Sequence, residues 1–167
     1  MVNKMKNNIK IAAFLENTKL ISKRFGITPL MYGSLGLEYI TDTDLCADDI
    51  DILIPNSFIR DRWNEFREFL ETNEYALIDG HEHTFEKNGI HYSFAQIEEL
   101  SCFADVPIEE IRTAKHDGVT FKLLTLHQYL KVYTASAKDG YRANVRDKKD
   151  AAKIEFINEW LSTIGRV

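Results

Sequence analysis

The spacing of apolar residues in the first part of the chain predicts a helix, a strand and a second, shorter helix. Apolar side chains recur at helical intervals over residues 9–25, and Gly26 follows as a stop signal. A short apolar run at 29–32 predicts a strand, and residues 35–40 suit one or two helical turns. Residues 41–48 are polar and are therefore expected to form a loop.

The next segment begins with alternating polar and apolar residues, which indicates a strand. Residues 49–54 read DIDILI, so that three isoleucines share one face while the aspartates point to the other. Pro55 ends this strand. We expect Asn56 or Ser57 to cap a following helix whose apolar stripe continues to Leu70.

Two hairpins are predicted in the middle of the chain, because two dipeptides there favour tight turns. Asn88-Gly89 suits a type I′ turn, and Asp117-Gly118 marks a second hairpin. The predicted strands cover residues 83–87 and 90–95 in the first hairpin, and 111–115 and 119–124 in the second.

The C-terminal part is predicted to be helical at 125–137 and again at 144–162. The order of elements indicates the α+β class, with a mixed β-sheet flanked by helices and a C-terminal helical pair. We expect residues 1–124 to form the α/β core. Residues 125–167 would pack on it, which gives a single compact domain.

Composition narrows the class of protein without naming a function. The 167 residues are 44% hydrophobic and 28% charged, which are ordinary values for a globular protein. The net charge of −5 argues against a broad nucleic-acid-binding surface. Cys46 and Cys102 form neither a disulfide framework nor a zinc motif. The polar N-terminus has no signal-peptide core, and no apolar run suits a membrane span, so a cytoplasmic location is expected.

The two aspartates of the alternating strand are the strongest candidates for chemistry. Asp49 and Asp51 would lie side by side, about 7 Å apart along the strand. Two carboxylates that close repel each other, and a divalent cation such as Mg²⁺ resolves the repulsion. Asp48 should point to the opposite face. The alternative is an exposed strand end with charged residues and no ligand.

A second candidate lies at the end of the first strand, where Gly33 and Ser34 precede a short helix. Glycine allows the backbone to approach a ligand closely, and a helix that begins there offers free N–H groups to a phosphate. The hydroxyl of Ser34 would add a contact. The alternative is a strand-to-helix turn that simply needs a flexible residue.

Taken together, these two motifs resemble the signature of the DNA polymerase beta-like nucleotidyltransferase superfamily. That superfamily includes aminoglycoside and lincosamide nucleotidyltransferases and small bacterial toxin–antitoxin members. Gly33-Ser34 and Asp49-Ile50-Asp51 are separated by residues 35–48, a spacer towards the long end for the family. The apolar framing of the motifs, LMYGS and DIDILIP, strengthens the match, which is close over residues 28–55 and looser elsewhere.

The resemblance implies a nucleotidyltransferase fold and Mg²⁺-dependent phosphoryl transfer, in which two metal ions clamp a nucleoside triphosphate and pyrophosphate leaves. The Gly-Ser turn would hold the β- and γ-phosphates. The acceptor would be a hydroxyl of a small molecule or protein. The alternative is a catalytically degenerate relative that binds nucleotide, or that acts as a toxin–antitoxin-type module with a protein partner or as a homodimer.

One part of the family pattern is absent. Catalytic members carry a third acidic residue on a neighbouring strand, and that position falls at Ser93. In the register of a two-residue turn, Glu86 pairs with His91 on the same face as Ser93. Glu86 or Glu82 could therefore replace the missing carboxylate, and His91 could serve as a base. The alternative is a solvated polar face.

A basic stretch near the C-terminus offers candidate phosphate ligands, among them Arg142, Arg146 and Lys149. Related families carry a Lys-Asp pair at the start of a comparable helix, which Lys149-Asp150 resembles. We expect Arg142 and Lys149 to contact the nucleotide and the C-terminal helices to form part of the cleft wall. The alternative is a charged helix face.

Overall fold

A computed structural model describes the backbone of residues 2–138 and 140–164 and the side chains of residues 9–138 and 149–164. It is an α+β structure. The helices are α1 (Val2–Phe25), α2 (Gly33–Thr41), α3 (Trp63–Thr72), α4 (Glu99–Ala104), α5 (Leu126–Lys138) and α6 (Gly140–Ile164). The strands are β1 (Leu30–Tyr32), β2 (Ile50–Ile54), β3 (Ala76–Asp79), β4 (Thr84–Lys87), β5 (Ile90–Gln96), β6 (Arg112–His116) and β7 (Val119–Leu123).

The strands form one mixed sheet in the order β3-β4-β5-β2-β1-β7-β6. At its centre, β2 is antiparallel to β1 and parallel to β5, while β1 is parallel to β7. Antiparallel hairpins form both sides of the sheet. The two strands that carry the sequence motifs, β1 and β2, are therefore central neighbours.

The core lies on one face of this sheet, where helices supply aromatic and aliphatic side chains. Ile50, Ile52 and Ile54 are fully buried in it, which confirms the predicted alternation of β2. Phe14 of α1 meets Phe121 of β7 edge to face at 5.3 Å between ring centroids. Burial of such side chains contributes about 1.5–3 kcal/mol each, so the apolar face of β2 is fixed firmly.

Both predicted hairpins are present, and the turn of the first has the predicted geometry. Asn88 and Gly89 have φ of 54° and 78°, and Asp117 and Gly118 have φ of 50° and 79°. These left-handed values are those that a type I′ turn requires. The predicted pairing of Glu86 with His91 is also confirmed.

Some local predictions are wrong or incomplete. Neither Asn56 nor Ser57 caps a helix, because a 3₁₀ turn (Asn56–Phe58) intervenes and α3 begins only at Trp63. Phe58 and Ile59 are buried, so the chain turns inward before the helix starts. The strand β3 and the short helix α4 were not predicted, since β3 exposes most of its side chains and has no clear alternation.

The chain divides into two compact units. The first contains residues 1–97 and 112–123, and therefore the whole sheet with α1, α2 and α3. The second contains residues 98–111 and 124–167, which form α4, α5 and α6. Within the second unit, Tyr129 and Tyr133 stack at 5.9 Å, and Ser136 of α5 donates a hydrogen bond to Asp150 of α6.

Across the described ranges, no helix combines the length and the apolar character needed to cross a bilayer.

Candidate functional site

The turn between β1 and α2 lies directly against the side chain of Asp51. Tyr32, the last residue of β1, pairs with Asp51 of β2, and Gly33 then turns the chain with φ of 64°. A Cβ added at Gly33 would lie 3.1 Å from Cγ of Asp51 and would overlap its carboxylate. The left-handed backbone and the close approach both require glycine. The structure therefore brings Gly33 and Asp51 together.

The N-terminus of α2 begins at this same turn. Ser34 lies in the first helical turn and is half-buried. Tyr32, at the N-cap position, makes no side-chain capping hydrogen bond, and the first turn carries no acidic residue. The first N–H groups of a helix lack partners within the helix and favour a negative charge nearby. The carboxylate of Asp51 is one such charge beside this end of α2, and an anion such as a phosphate would be favoured there for the same reason.

Asp49 and Asp51 lie on one face of the sheet. On the neighbouring strand β5, Ser93 is paired with Asp51, and His91 is two residues earlier on the same face. Nδ1 of His91 lies 3.8 Å from Oδ1 of Asp49, and both side chains are about half exposed at 46% and 50%. Asp51 is less exposed than Asp49. The pair is therefore open to solvent on the side of Asp49 and enclosed on the side of Gly33.

The position beside Asp51 on β5 holds a hydroxyl instead of a carboxylate. Ser93 is in register with Asp51 on one side and with Thr84 of β4 on the other. The hydroxyl oxygens of Thr84 and Ser93 are 2.8 Å apart, so one donates to the other. The row of paired residues that starts at Asp51 therefore ends in two neutral hydroxyls that are hydrogen-bonded to each other. Hydroxyls are weaker ligands for a hard cation than carboxylates are.

Glu86 and Glu82, the candidate replacements for the missing carboxylate, form hydrogen bonds with nearby residues of their own hairpin region. Oε1 of Glu86 accepts a hydrogen bond of 2.7 Å from the backbone N–H of Gly89 in the hairpin turn. Glu82 is exposed, and its backbone N–H donates to Asp79. Among the side chains that the structure describes, no group of three or more His, Cys, Asp and Glu residues is arranged to hold a metal ion.

The donor set fits one Mg²⁺ ion better than two. Asp49 and Asp51 offer carboxylate oxygens, which are the ligands Mg²⁺ prefers, and Mg²⁺ is usually held by one or two carboxylates with phosphates and water completing its shell. A second ion would need further carboxylates in the row that Ser93 and Thr84 occupy. Two carboxylates alone would leave the other positions around one such ion to water or to a ligand.

The predicted ligands from the C-terminal helix belong to the second unit. Lys149 is exposed on α6, and the side chain of Arg142 lies outside the described residues. Asp150, next to Lys149, is only 4% exposed, and its Oδ2 accepts a 2.8 Å hydrogen bond from Ser136. Asp150 therefore links α5 to α6.

Glu38 was not considered in the sequence analysis, yet it lies within the same motif. It is 3% exposed on α2, and its Oε1 accepts hydrogen bonds from the backbone N–H groups of Leu45 and Ala47 at 2.9 and 2.8 Å. Burial raises the pKa of Glu38 above its ordinary value of 4.5, although these two hydrogen bonds oppose the shift. The one available signal was a lone glutamate in the apolar sequence GSLGLEYI.

These features define an α+β protein in which paired aspartates on a central strand lie beside a glycine turn at a helix N-terminus. The chain is 38% identical over 146 residues to the uncharacterized protein YnaI of Bacillus subtilis (strain 168), and the match covers 87% of this chain and 94% of that protein. The chain therefore belongs to the YnaI family. No family model and no solved structure matches it.

Proposed function

We propose that this chain has the nucleotidyltransferase fold and binds a nucleoside triphosphate together with Mg²⁺ at the Asp49–Asp51 pair. The observation that carries the proposal is the contact between Gly33 and Asp51, in which a carboxylate and the N-terminus of α2 adjoin. A carboxylate and a phosphate repel each other, so a site that offers both an acidic pair and an anion-binding helix end suits a phosphate bridged by a cation.

Different residues would bind the metal ion and the phosphates. Asp49 and Asp51 would hold the cation through carboxylate oxygens, and the first N–H groups of α2 with the hydroxyl of Ser34 would receive the terminal phosphates. Mg²⁺ supplies charge neutralisation between the carboxylates and the triphosphate. Lys149 and Arg142 stay sequence predictions as nucleotide ligands.

Nucleotidyl transfer is the second candidate, and His91 is the observation that favours it. With Nδ1 at 3.8 Å from Asp49, the imidazole lies at the edge of the pair, where it could take the proton of an attacking hydroxyl. The acceptor oxygen would bond to the α-phosphorus and pyrophosphate would leave. The hydroxyls at Ser93 and Thr84 favour binding over turnover, because family members that catalyse carry a carboxylate in that row. A protein partner of toxin–antitoxin type or a homodimer also stays a prediction.

A thermal-stability screen tests the proposal. Each nucleoside triphosphate is added once with Mg²⁺ and once with EDTA, and a sample with Mg²⁺ but no nucleotide is the control. A specific ligand raises the apparent stability of the protein by about 2.7 kcal/mol at 100 times its Kd. We expect one or more triphosphates to stabilise the protein only when Mg²⁺ is present. Stabilisation that is the same in EDTA, or absent for all nucleotides, would contradict the proposal. Release of pyrophosphate that is lost in His91→Asn would select the transferase.

A further inference from the structure

The loop at residues 42–48 connects the two motifs of the site, and one buried side chain holds it. Glu38, one turn from the C-terminal end of α2, accepts hydrogen bonds from this loop at two points through Oε1, from Leu45 and Ala47. Its own backbone carbonyl accepts the N–H of Thr43 at 3.4 Å. Side chain and backbone of one residue therefore fasten most of the loop to α2.

The surroundings of the Glu38 carboxyl group suit it to holding this loop. Its side chain is enclosed, and Oε2 is buried without a hydrogen-bond partner among the described residues. One oxygen of the carboxyl group accepts hydrogen bonds from two backbone N–H groups of an irregular loop. Without an acceptor, these N–H groups would be costly to bury. Replacement by an apolar side chain would leave those donors without an acceptor.

The position of Glu38 links the two halves of the site. At one end, α2 starts at Gly33, which touches Asp51. At the other end, Ala47 is two residues before Asp49, so the hydrogen bond to Glu38 fixes the chain just before that aspartate. Asp49 itself precedes the first residue of β2, and it lacks the pairing to β1 that fixes Asp51.

We propose that Glu38 is a positioning residue, whose carboxyl group fixes Asp49 relative to Asp51 and the N-terminus of α2. This inference rests on the proposed function, because the geometry that Glu38 maintains is that of the Mg²⁺–nucleotide site. Misplacement of a metal ligand by a fraction of an ångström weakens coordination, and residues that orient ligands commonly change metal affinity 10–100-fold.

The test compares four proteins: wild type, Glu38→Gln, Glu38→Met and Thr41→Val. Gln keeps an oxygen that can accept from Leu45 and Ala47, whereas Met fills a similar volume without an acceptor. Thr41→Val is the matched control, since Thr41 is buried on the same helix and its hydroxyl donates to the carbonyl of Leu37, at 2.7 Å.

Two quantities are measured on each variant: hydrogen exchange at the amides of Leu45 and Ala47, and calorimetric affinity for the Mg²⁺–triphosphate complex. We expect Gln to keep amide protection and to bind within about threefold of wild type, while Met loses protection and binds at least about tenfold more weakly. Thr41→Val should bind like wild type even if it melts earlier. Glu38→Asp, which shortens the side chain by one methylene, gives the same comparison if the Met variant does not fold.

The outcomes separate the two proposals. Wild-type affinity in Glu38→Met or Glu38→Asp, or equal weakening in Thr41→Val, would overturn the role of Glu38 and leave the nucleotide site standing. Absence of Mg²⁺-dependent binding in the wild type itself would overturn the proposed function and the role of Glu38 with it.

Discussion

Asp51 and Asp150 are both aspartates to which family resemblance draws attention, and their surroundings differ. Asp51 is half-buried on a central strand, against a glycine that leaves room for its carboxylate. Asp150 is 4% exposed on α6 and accepts a 2.8 Å hydrogen bond from Ser136 of α5. The first adjoins a helix N-terminus, whereas the second joins two helices of the second unit.

We expect the neighbours of each carboxylate, rather than the motif that contains it, to decide its role. In the proposed site, a carboxylate beside a helix N-terminus needs a cation to accommodate a phosphate. A carboxylate that accepts a buried hydroxyl hydrogen bond stabilises the contact between its helices. Changes at the first should therefore alter binding, and changes at the second should alter stability.

The largest effect is expected from Gly33→Ala, with Gly26→Ala as its control. Both glycines have left-handed backbones, with φ of 64° and 68°, so alanine costs about 1–2 kcal/mol of folding free energy at either position. Only at Gly33 does the new Cβ meet Asp51, since nothing lies within 4 Å of one at Gly26. We expect Gly33→Ala to lose Mg²⁺-dependent nucleotide binding in calorimetry and Gly26→Ala to keep it. Equal binding in the two variants would mean that the contact with Asp51 does not matter.

An intermediate effect is expected from Asp150→Ala. Removal of the acceptor of the Ser136 hydrogen bond should cost about 1–3 kcal/mol in the free energy of unfolding, as measured with urea. Asp150→Asn keeps an acceptor oxygen and should cost less. Nucleotide affinity should stay within about threefold of wild type in both variants, a change of under about 0.7 kcal/mol. A large loss of affinity in Asp150→Asn would instead place Asp150 with the ligand site.

The smallest effect concerns the pH dependence of stability at Glu38. Burial and the nearby charge of Asp44 raise the pKa of Glu38 above 4.5, against the hydrogen bonds from the loop and the charge of Lys10. Because the folded protein then holds its proton more tightly than the unfolded chain, the stability from this group is complete below 4.5 and is lost as pH rises through the raised pKa.

The melting temperature of wild type relative to Glu38→Gln should therefore fall as the pH rises from 4.5, because glutamine does not titrate. A difference that stays constant with pH would show that Glu38 titrates normally.

Local signals in the sequence were sufficient for the central strands and the hairpins. The alternation of β2 and the turn dipeptides Asn88-Gly89 and Asp117-Gly118 act over a few residues, and the structure has them as predicted. The start of α3 was not predictable from Asn56 or Ser57, because burial of the following side chains sets it.

The candidate site was predictable only where it follows from strand alternation. The side chains of Asp49 and Asp51 share a face for that reason, and a count from the Asn-Gly turn identified Ser93 as the residue of interest, which the register pairs with Asp51. The role of Glu38 depends on a loop that folds back over α2, and no periodicity in the sequence encodes that contact.

The most direct test of the account is calorimetric titration of a nucleoside triphosphate into wild type, Asp51→Asn and Asp48→Asn, with and without Mg²⁺. Asp48 is exposed and carries the same charge, so its variant controls for net charge. We expect wild type and Asp48→Asn to bind only with Mg²⁺, and Asp51→Asn to bind at least about tenfold more weakly, a loss of about 1.4 kcal/mol or more. Equal affinity with and without Mg²⁺, or unchanged binding by Asp51→Asn, would contradict a metal-dependent nucleotide site at this pair.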